Sequence, residues 1–350
     1  MDISQNYNWV DCWERAKRSH CPFCFFIGAR GTGKTYGSLK SQYEEYYDGH
    51  CGKYVYMRLT QTELDLCASD SDNPYKKHNK RYGWGVHFQP VAKSNSYDIV
   101  DEANDKEVIG TARALATFGN VRGSDFEDMT HIIFDEFNPT ERVRKTPEIK
   151  KAGFLFNQAY ETINRNRELE GEPPVIVLFL ANSFTLDSSI LNEFGIVSII
   201  EGMQASGQKR CTIPERGIYI ELCEAPDVTE AKRETALYKA MRGNKKLEAI
   251  NLDNKFTDYN LTLVKKRVPL SEYVPAVVFE DITIYTHKST DMLYARKGVE
   301  TARERYVSKT RGLFIARWRQ ALKSAIMERR LYADTAATLY ELEDALESPL

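Results

Sequence analysis

Apolar residues in this chain fall into two rhythms. "CFFIG" (24–28), "KYVYMRL" (53–59), "THIIFDE" (130–136) and "PVIVLFLANS" (174–183) are short runs with few polar positions. Runs of this length bounded by turn residues predict strands buried on both faces. Between them, "TYGSLKSQYEEYYDG" (35–49) and the stretch from Pro147 to Arg167 repeat apolar positions at helical spacing. Thr60 and Glu63 supply a capping box for a further helix. "WGVHFQP", "SYDIV" and "KEVIG" alternate with period two and predict an antiparallel excursion turning through Asn104 and Asp105. Apolar strands alternating with helices predict an α/β fold with a parallel sheet covered on both faces.

The pattern changes after about residue 200. "GIYIEL" predicts a strand, and the charged stretch from Thr229 to Ile250 an amphipathic helical segment. Four strand-like runs follow, "YNLTLVKKR", "AVVFE", "DITIYTH" and "MLYAR", then helical "FIARWRQALKSAIMERR" and "AATLYELEDAL". Strands followed by helices predict a separate, smaller α+β domain. The expected organisation is therefore 1–225, a helical linker at 226–250, and 251–350.

Composition changes this picture little. The chain has 350 residues, 42% hydrophobic and 28% charged, which suits a globular protein and excludes a disordered one. No apolar run is long enough to span a bilayer, and the start lacks a basic-then-apolar leader, so an intracellular product is expected. Seven scattered cysteines predict free thiols; "CPFC" (21–24) has no second ligand pair for zinc. The net charge of −2 hides a local excess. Eleven Lys/Arg lie between Arg296 and Arg330 against Glu300, Glu304 and Glu328, while the tail from Leu331 is acidic. This predicts either a basic face for a polyanion or a solvated helix beside an acidic one.

The chemistry concentrates in "GARGTGKT", Gly28, Ala29, Arg30, Gly31, Thr32, Gly33, Lys34 and Thr35. It follows a strand and opens a helix, the context in which G-x-x-x-x-G-K-[ST] cradles phosphates. Lys34 would reach the β- and γ-phosphates of ATP, and Thr35 would ligate Mg²⁺. "HIIFDEF" supplies a second strand ending in Asp135, for the Mg²⁺ shell, and Glu136, for polarising an attacking water. A phosphate-transfer kinase needs no water activation, and no guanine-reading N-K-x-D element is present, since "NKFT" (254–257) lacks the Asp. The pair therefore favours ATP hydrolysis over a nucleotide-switched scaffold. Asn182 ends the next strand, either as a γ-phosphate sensor or as turn chemistry. Arg165 and Arg167, in "ETINRNRELEGE" (161–172), must each find an anion. That anion is either the nucleotide of a neighbouring subunit or a surface carboxylate among Glu161, Glu168 and Glu170. Arg122, in "GNVRGSDFEDM", is either a phosphate-backbone contact or simply exposed.

"FFIGARGTGKTYG", "THIIFDEF", "ETINRNRE" and "LANS", in this order, resemble the DNA-encapsidation ATPases of small podophages, kin of large terminase subunits. The likeness runs through most of 20–185 and returns in "AKRETALYKAMRGNKKLEAINLDNKF" (231–256). It implies an ASCE-type P-loop ATPase domain, a helical linker and a C-terminal domain resembling a degenerate RNase H-type nuclease. It implies a motor that drives double-stranded DNA into a prohead, assembled as a homopentameric ring in the host cytoplasm at the portal vertex. The portal connector would be a partner, a packaging RNA is left open, and no membrane is involved. The resemblance makes Arg165 the finger acting in trans, Arg122 a DNA contact and Arg58 an interface residue. One departure concerns that interface: Arg58 is followed by Leu59, Thr60 and Gln61, without the lysine the family can carry there. A helicase-like remodeller is the remaining rival.

Overall fold

The computed structural model describes residues 9–346 except 30, 121–125, 139–146, 183–185, 187, 225–229, 232, 241–262 and 266. Two compact units divide the chain, Met1–Phe194 with Gly202–Phe256, and Gly195–Glu201 with Thr257–Leu350. Most of the expected linker, and Arg30 and Arg122, lie outside the described residues.

The first unit is built on nine strands: β1 (Phe23–Gly28), β2 (Lys53–Arg58), β3 (Val86–Pro90), β4 (Ser96–Asp101), β5 (Glu107–Ala114), β6 (Met129–Asp135), β7 (Ile176–Asn182), β8 (Arg210–Ile213) and β9 (Ile218–Cys223). Their order is β3-β4-β5-β2-β6-β7-β1-β9-β8. The six from β5 to β9 run parallel. β3 and β4 extend one edge antiparallel, and β8 closes the other. The expected antiparallel excursion is present as β3-β4-β5, and β5 docks on β2 and makes it part of the main sheet.

Period-two alternation sends neighbouring aromatics to opposite faces. Phe25 stacks on Phe179 at 4.2 Å, and Phe134, Phe156 and Phe194 join them. Phe26, Tyr54, Tyr56, Ile133 and Leu180 belong to a cluster with Trp9 and Trp13. Those tryptophans come from α1 (Trp9–Ser19), which packs on α2 (Lys34–Tyr47). Gly37 makes this approach possible, since a Cβ there would fall 2.3 Å from Trp9. α3 (Gln61–Cys67) carries the expected capping box of Thr60 and Glu63, and α4 (Lys76–Tyr82) follows it.

The helix expected from Pro147 to Arg167 is shorter. A turn at Pro147–Lys150 precedes α5 (Ala152–Asn164). It stops because Asn164 turns inward, its Oδ1 accepting the Val175 N–H at 2.9 Å, and Arg165 takes a positive φ of 46°.

In the second unit β10 (Tyr273–Phe279), β11 (Ile282–His287) and β12 (Leu293–Lys297) form an antiparallel meander. β13 (Glu304–Tyr306) lies parallel to β10, and β14 (Leu331–Ala333) parallel to β12. Helices α6 (Arg311–Met327) and α7 (Ala336–Ala345) bury Phe314, Leu322, Leu339 and Leu342 with Val277 and Ile284. Of the run expected at "YNLTLVKKR", 259–262 and 266 lie outside the described residues, and Val264 makes an isolated bridge to Ala333. The basic stretch is partly neutralised: Lys297 pairs with Glu341, Arg311 with Asp344 and Arg317 with Glu304. No helix among the described residues is long and apolar enough to cross a membrane. Its cysteines are free, and no cluster that could hold a metal through three His, Cys, Asp or Glu side chains occurs among the described residues.

Candidate functional site

Three parallel strands end together. Gly28 of β1 is in register with Asn182 of β7, and Asp135 of β6 with Leu180 of β7. Their carboxyl ends and the start of α2 enclose a cavity of about 440 Å³, lined by Gly31 to Tyr36, Asp135, Glu136 and Asn182. β7 thus lies between the Gly-rich strand and the Asp-Glu strand. Gly28 is required where it stands, because a Cβ would meet the Cys223 carbonyl oxygen at 2.5 Å. Gly33, at φ 82°, turns the chain into α2.

Lys34 folds back along this loop. Its Nζ donates to the carbonyls of Gly28 (3.0 Å) and Ala29 (3.1 Å) and to Thr32 Oγ1 (3.1 Å). Thr35 Oγ1 donates to Asp135 Oδ1 at 2.8 Å. The other oxygen, Oδ2, accepts from Tyr56 OH (2.8 Å) and from an Arg58 NH group (3.0 Å). Burial first, and then the Asp135 charge, raise the Tyr56 pKa, so the phenol keeps its proton and donates. The second Arg58 terminal nitrogen reaches Glu136 Oε2 at 2.7 Å. One guanidinium therefore spans both acids, the forked geometry that a lysine cannot reproduce. Arg58, expected at a subunit interface, has a side chain only 11% exposed.

Glu136 is 45% exposed in its side chain and has φ 54°. Phe137 imposes that turn: its ring is fully buried and its N–H donates to the Leu180 carbonyl at 3.2 Å. Strain held in place by its surroundings is common where a side chain must be aimed.

Arg165 and Arg167 are elsewhere. They line a second cavity of about 800 Å³ with Gly52, Lys53, Asp128 and Thr130, where β2 and β6 begin. Arg167 is tied down, its Nε donating to the Pro173 carbonyl (3.0 Å) and an NH group to the Glu127 carbonyl (3.1 Å). Arg165 is exposed. The charge pattern alone drew no distinction between the two, because both sit in a run of alternating charges; the family resemblance singled out Arg165. Sequence reasoning missed the role of Tyr56, whose apolar strand neighbours hid a polar function.

The Gly-rich turn after a central strand, with the Asp-Glu strand one position removed, defines a P-loop fold of the ASCE type. A sequence profile of the podovirus DNA encapsidation protein (Gp16) family matches residues 1–328, and the chain belongs to that family. It is similar to a DNA packaging protein of Bacillus phage B103, 24% identical over 265 residues, covering 73% of this chain and 71% of the relative. Its fold is similar to that of the Phi-28 gp11 DNA packaging motor (TM-score 0.63, 14% identity, covering 96% and 98% of the two chains). The same holds for the bacteriophage Phi-29 viral genome packaging motor assembly (TM-score 0.60, 16% identity, 95% and 98%).

Proposed function

We propose that this encapsidation protein is an ATP hydrolase that moves double-stranded DNA into a prohead. The observation carrying this reading is the convergence of Lys34, Thr35, Asp135, Glu136 and Asn182 on one cavity at the strand tips. Lys34 exchanges its three loop acceptors for β- and γ-phosphate oxygens when nucleotide enters. The Thr35 hydroxyl and Asp135 carboxylate are hard oxygen donors already in contact, which fits Mg²⁺, an ion held by few protein ligands and by phosphate oxygens. Bound there, it would neutralise charge on the phosphates. Glu136 accepts the proton of the attacking water, Arg58 orients both carboxylates, and Asn182 contacts the γ-phosphate end.

The finger role falls to Arg165, and it is supplied to a neighbouring subunit. β6 spans seven residues between the second cavity and Asp135, roughly 20 Å of extended chain. An arginine side chain cannot cross that distance to its own nucleotide. A homo-oligomeric ring, a pentamer by family resemblance, seats each Arg165 at the next subunit. The partners are DNA, gripped in part by Arg122, the portal connector and, as a further candidate, a packaging RNA. The setting is the portal vertex of a prohead in the host cytoplasm. The second unit is proposed as the RNase H-like domain.

Glu136→Gln tests the hydrolytic core. Nucleotide binding should persist while turnover falls about 10²-fold or more, the scale of a lost general base. A variant that hydrolyses ATP at the wild-type rate would remove Glu136 from the chemistry.

A further inference from the structure

One aromatic side chain of the cavity wall is not used by the phosphate chemistry. Tyr36 follows Thr35 directly, lines the cavity, and is the aromatic member of that lining among the described residues. It is unusually well braced. His78 Nε2 donates to the Tyr36 carbonyl at 2.9 Å. The His78 ring stacks on the Tyr36 ring with centroids 4.0 Å apart and planes 14° from parallel. His78 also stacks on Trp84 (5.2 Å, 5°), and Trp84 on Tyr43 (3.6 Å, 18°). The Tyr36 hydroxyl donates to Tyr82 OH at 3.3 Å, and the Tyr82 ring has the cations of Lys40 and Arg81 within 5.6 Å of its centroid. The column runs from the hydrophobic core to the cavity wall, yet Tyr36 itself is only partly buried.

We infer that Tyr36 is the stacking platform for the purine base of the bound nucleotide, with the His78–Trp84–Tyr43 column holding its ring in place. This rests on the nucleotide reading above. The acids and Asn182 fix the γ-phosphate end of the cavity at the tips of β6 and β7. The α-phosphate and the nucleoside then lie toward the start of α2, where Tyr36 stands. Burial lowers His78 to about 4, so the ring behind Tyr36 is uncharged near neutrality. Because every base has a π-face, such a platform adds affinity without reading base identity.

The test compares ATP with inorganic tripolyphosphate, which has no nucleoside, by calorimetric titration of the full chain. Tyr36→Ala should weaken ATP about tenfold or more, the usual range for one lost base–aromatic stack. Tripolyphosphate affinity should stay within about twofold, and Tyr36→Phe should hold ATP within about threefold of wild type. Tyr36→Leu keeps apolar volume against His78 and serves if the alanine variant unfolds, with the same expected loss for ATP alone. Unchanged ATP affinity overturns the inference, and so does equal loss for both ligands, which would mean that Tyr36 shapes the phosphate loop. Wild-type protein that binds neither ligand overturns the nucleotide reading and the platform together, so the two failures are distinct.

Discussion

Arg58 shows how much a single side chain can organise. Its two terminal nitrogens hold the buried Asp135 and the half-exposed Glu136, two like charges adjacent in sequence, in one fork. Removing one partner from a buried ionic cluster leaves the rest uncompensated, at a cost of about 3–5 kcal/mol. Arg58→Ala should therefore lower the unfolding midpoint measurably and abolish turnover. Arg58→Lys should recover much of the stability and little of the turnover, because an ammonium has no planar fork. Calorimetric melting and steady-state hydrolysis check both; a lysine variant with normal turnover would show that only the charge matters. At this scale the Gly-rich loop, Asp135 and Glu136 were legible in the sequence, since their spacing and flanking strand tips carry a mechanism. The Arg58 bridge was not, because the partners lie 77 and 78 residues away.

Elements impose a different kind of constraint, visible in the helices that cover the sheet. His131 on β6 and His78 on α4 are both buried, and both are lowered to about 4, chiefly by burial. In the unfolded chain each takes a proton near pH 6.5, whereas in the folded chain each resists it. The unfolded state thus binds more protons between about pH 6.5 and 4, and stability falls as pH falls through that window. A drop from 6.5 to about 4 is worth on the order of 3 kcal/mol for each histidine. His78→Phe keeps a flat ring in the column and removes one of the two titrations. It should flatten the loss of melting temperature between pH 7 and pH 5 by about half; an unaltered profile would contradict the assignment. Most elements were legible here, because strand runs such as "CFFIG" and the Thr60–Glu63 box carry local rules. The α1 helix was overlooked although Trp9, Cys12, Trp13 and Ala16 repeat at helical spacing. The end of α5 was misplaced because its stop depends on Asn164 reaching Val175, a contact no local pattern announces.

At the scale of the whole molecule, the two arginines of "RNR" separate in function: Arg167 braces its own loop, while Arg165 lies exposed at the end of the sheet opposite the Gly-rich turn. Mixing Arg165→Ala with Glu136→Gln protein should restore part of the hydrolysis that each lacks, since some interfaces then pair an intact Glu136 with an intact Arg165. If mixed rings assemble and remain inactive at every ratio, dilution of Arg165→Ala into wild type decides between action in cis, with linear loss, and a coordinated ring, with steep loss. DNA binding by the full chain should weaken steeply with salt and vary little between duplex sequences, as phosphate contacts dictate. A strong preference among duplexes at fixed salt would indicate base reading instead.

The seven-residue strand between Arg165's cavity and the Asp135 tip has one more implication. If Arg165 serves a neighbouring subunit as proposed, each subunit gives at one end and receives at the other, and its contacts would be head-to-tail. A ring assembled from such contacts has a sense of rotation written into the direction of its β-strands. Catalytic help would then pass around it in one sense only, from the subunit lending its arginine to the subunit whose phosphate is cleaved, although coupling between binding events stays reciprocal. A single dead protomer would act like a broken link in a relay, stalling the neighbour on one side and leaving the neighbour on the other untouched.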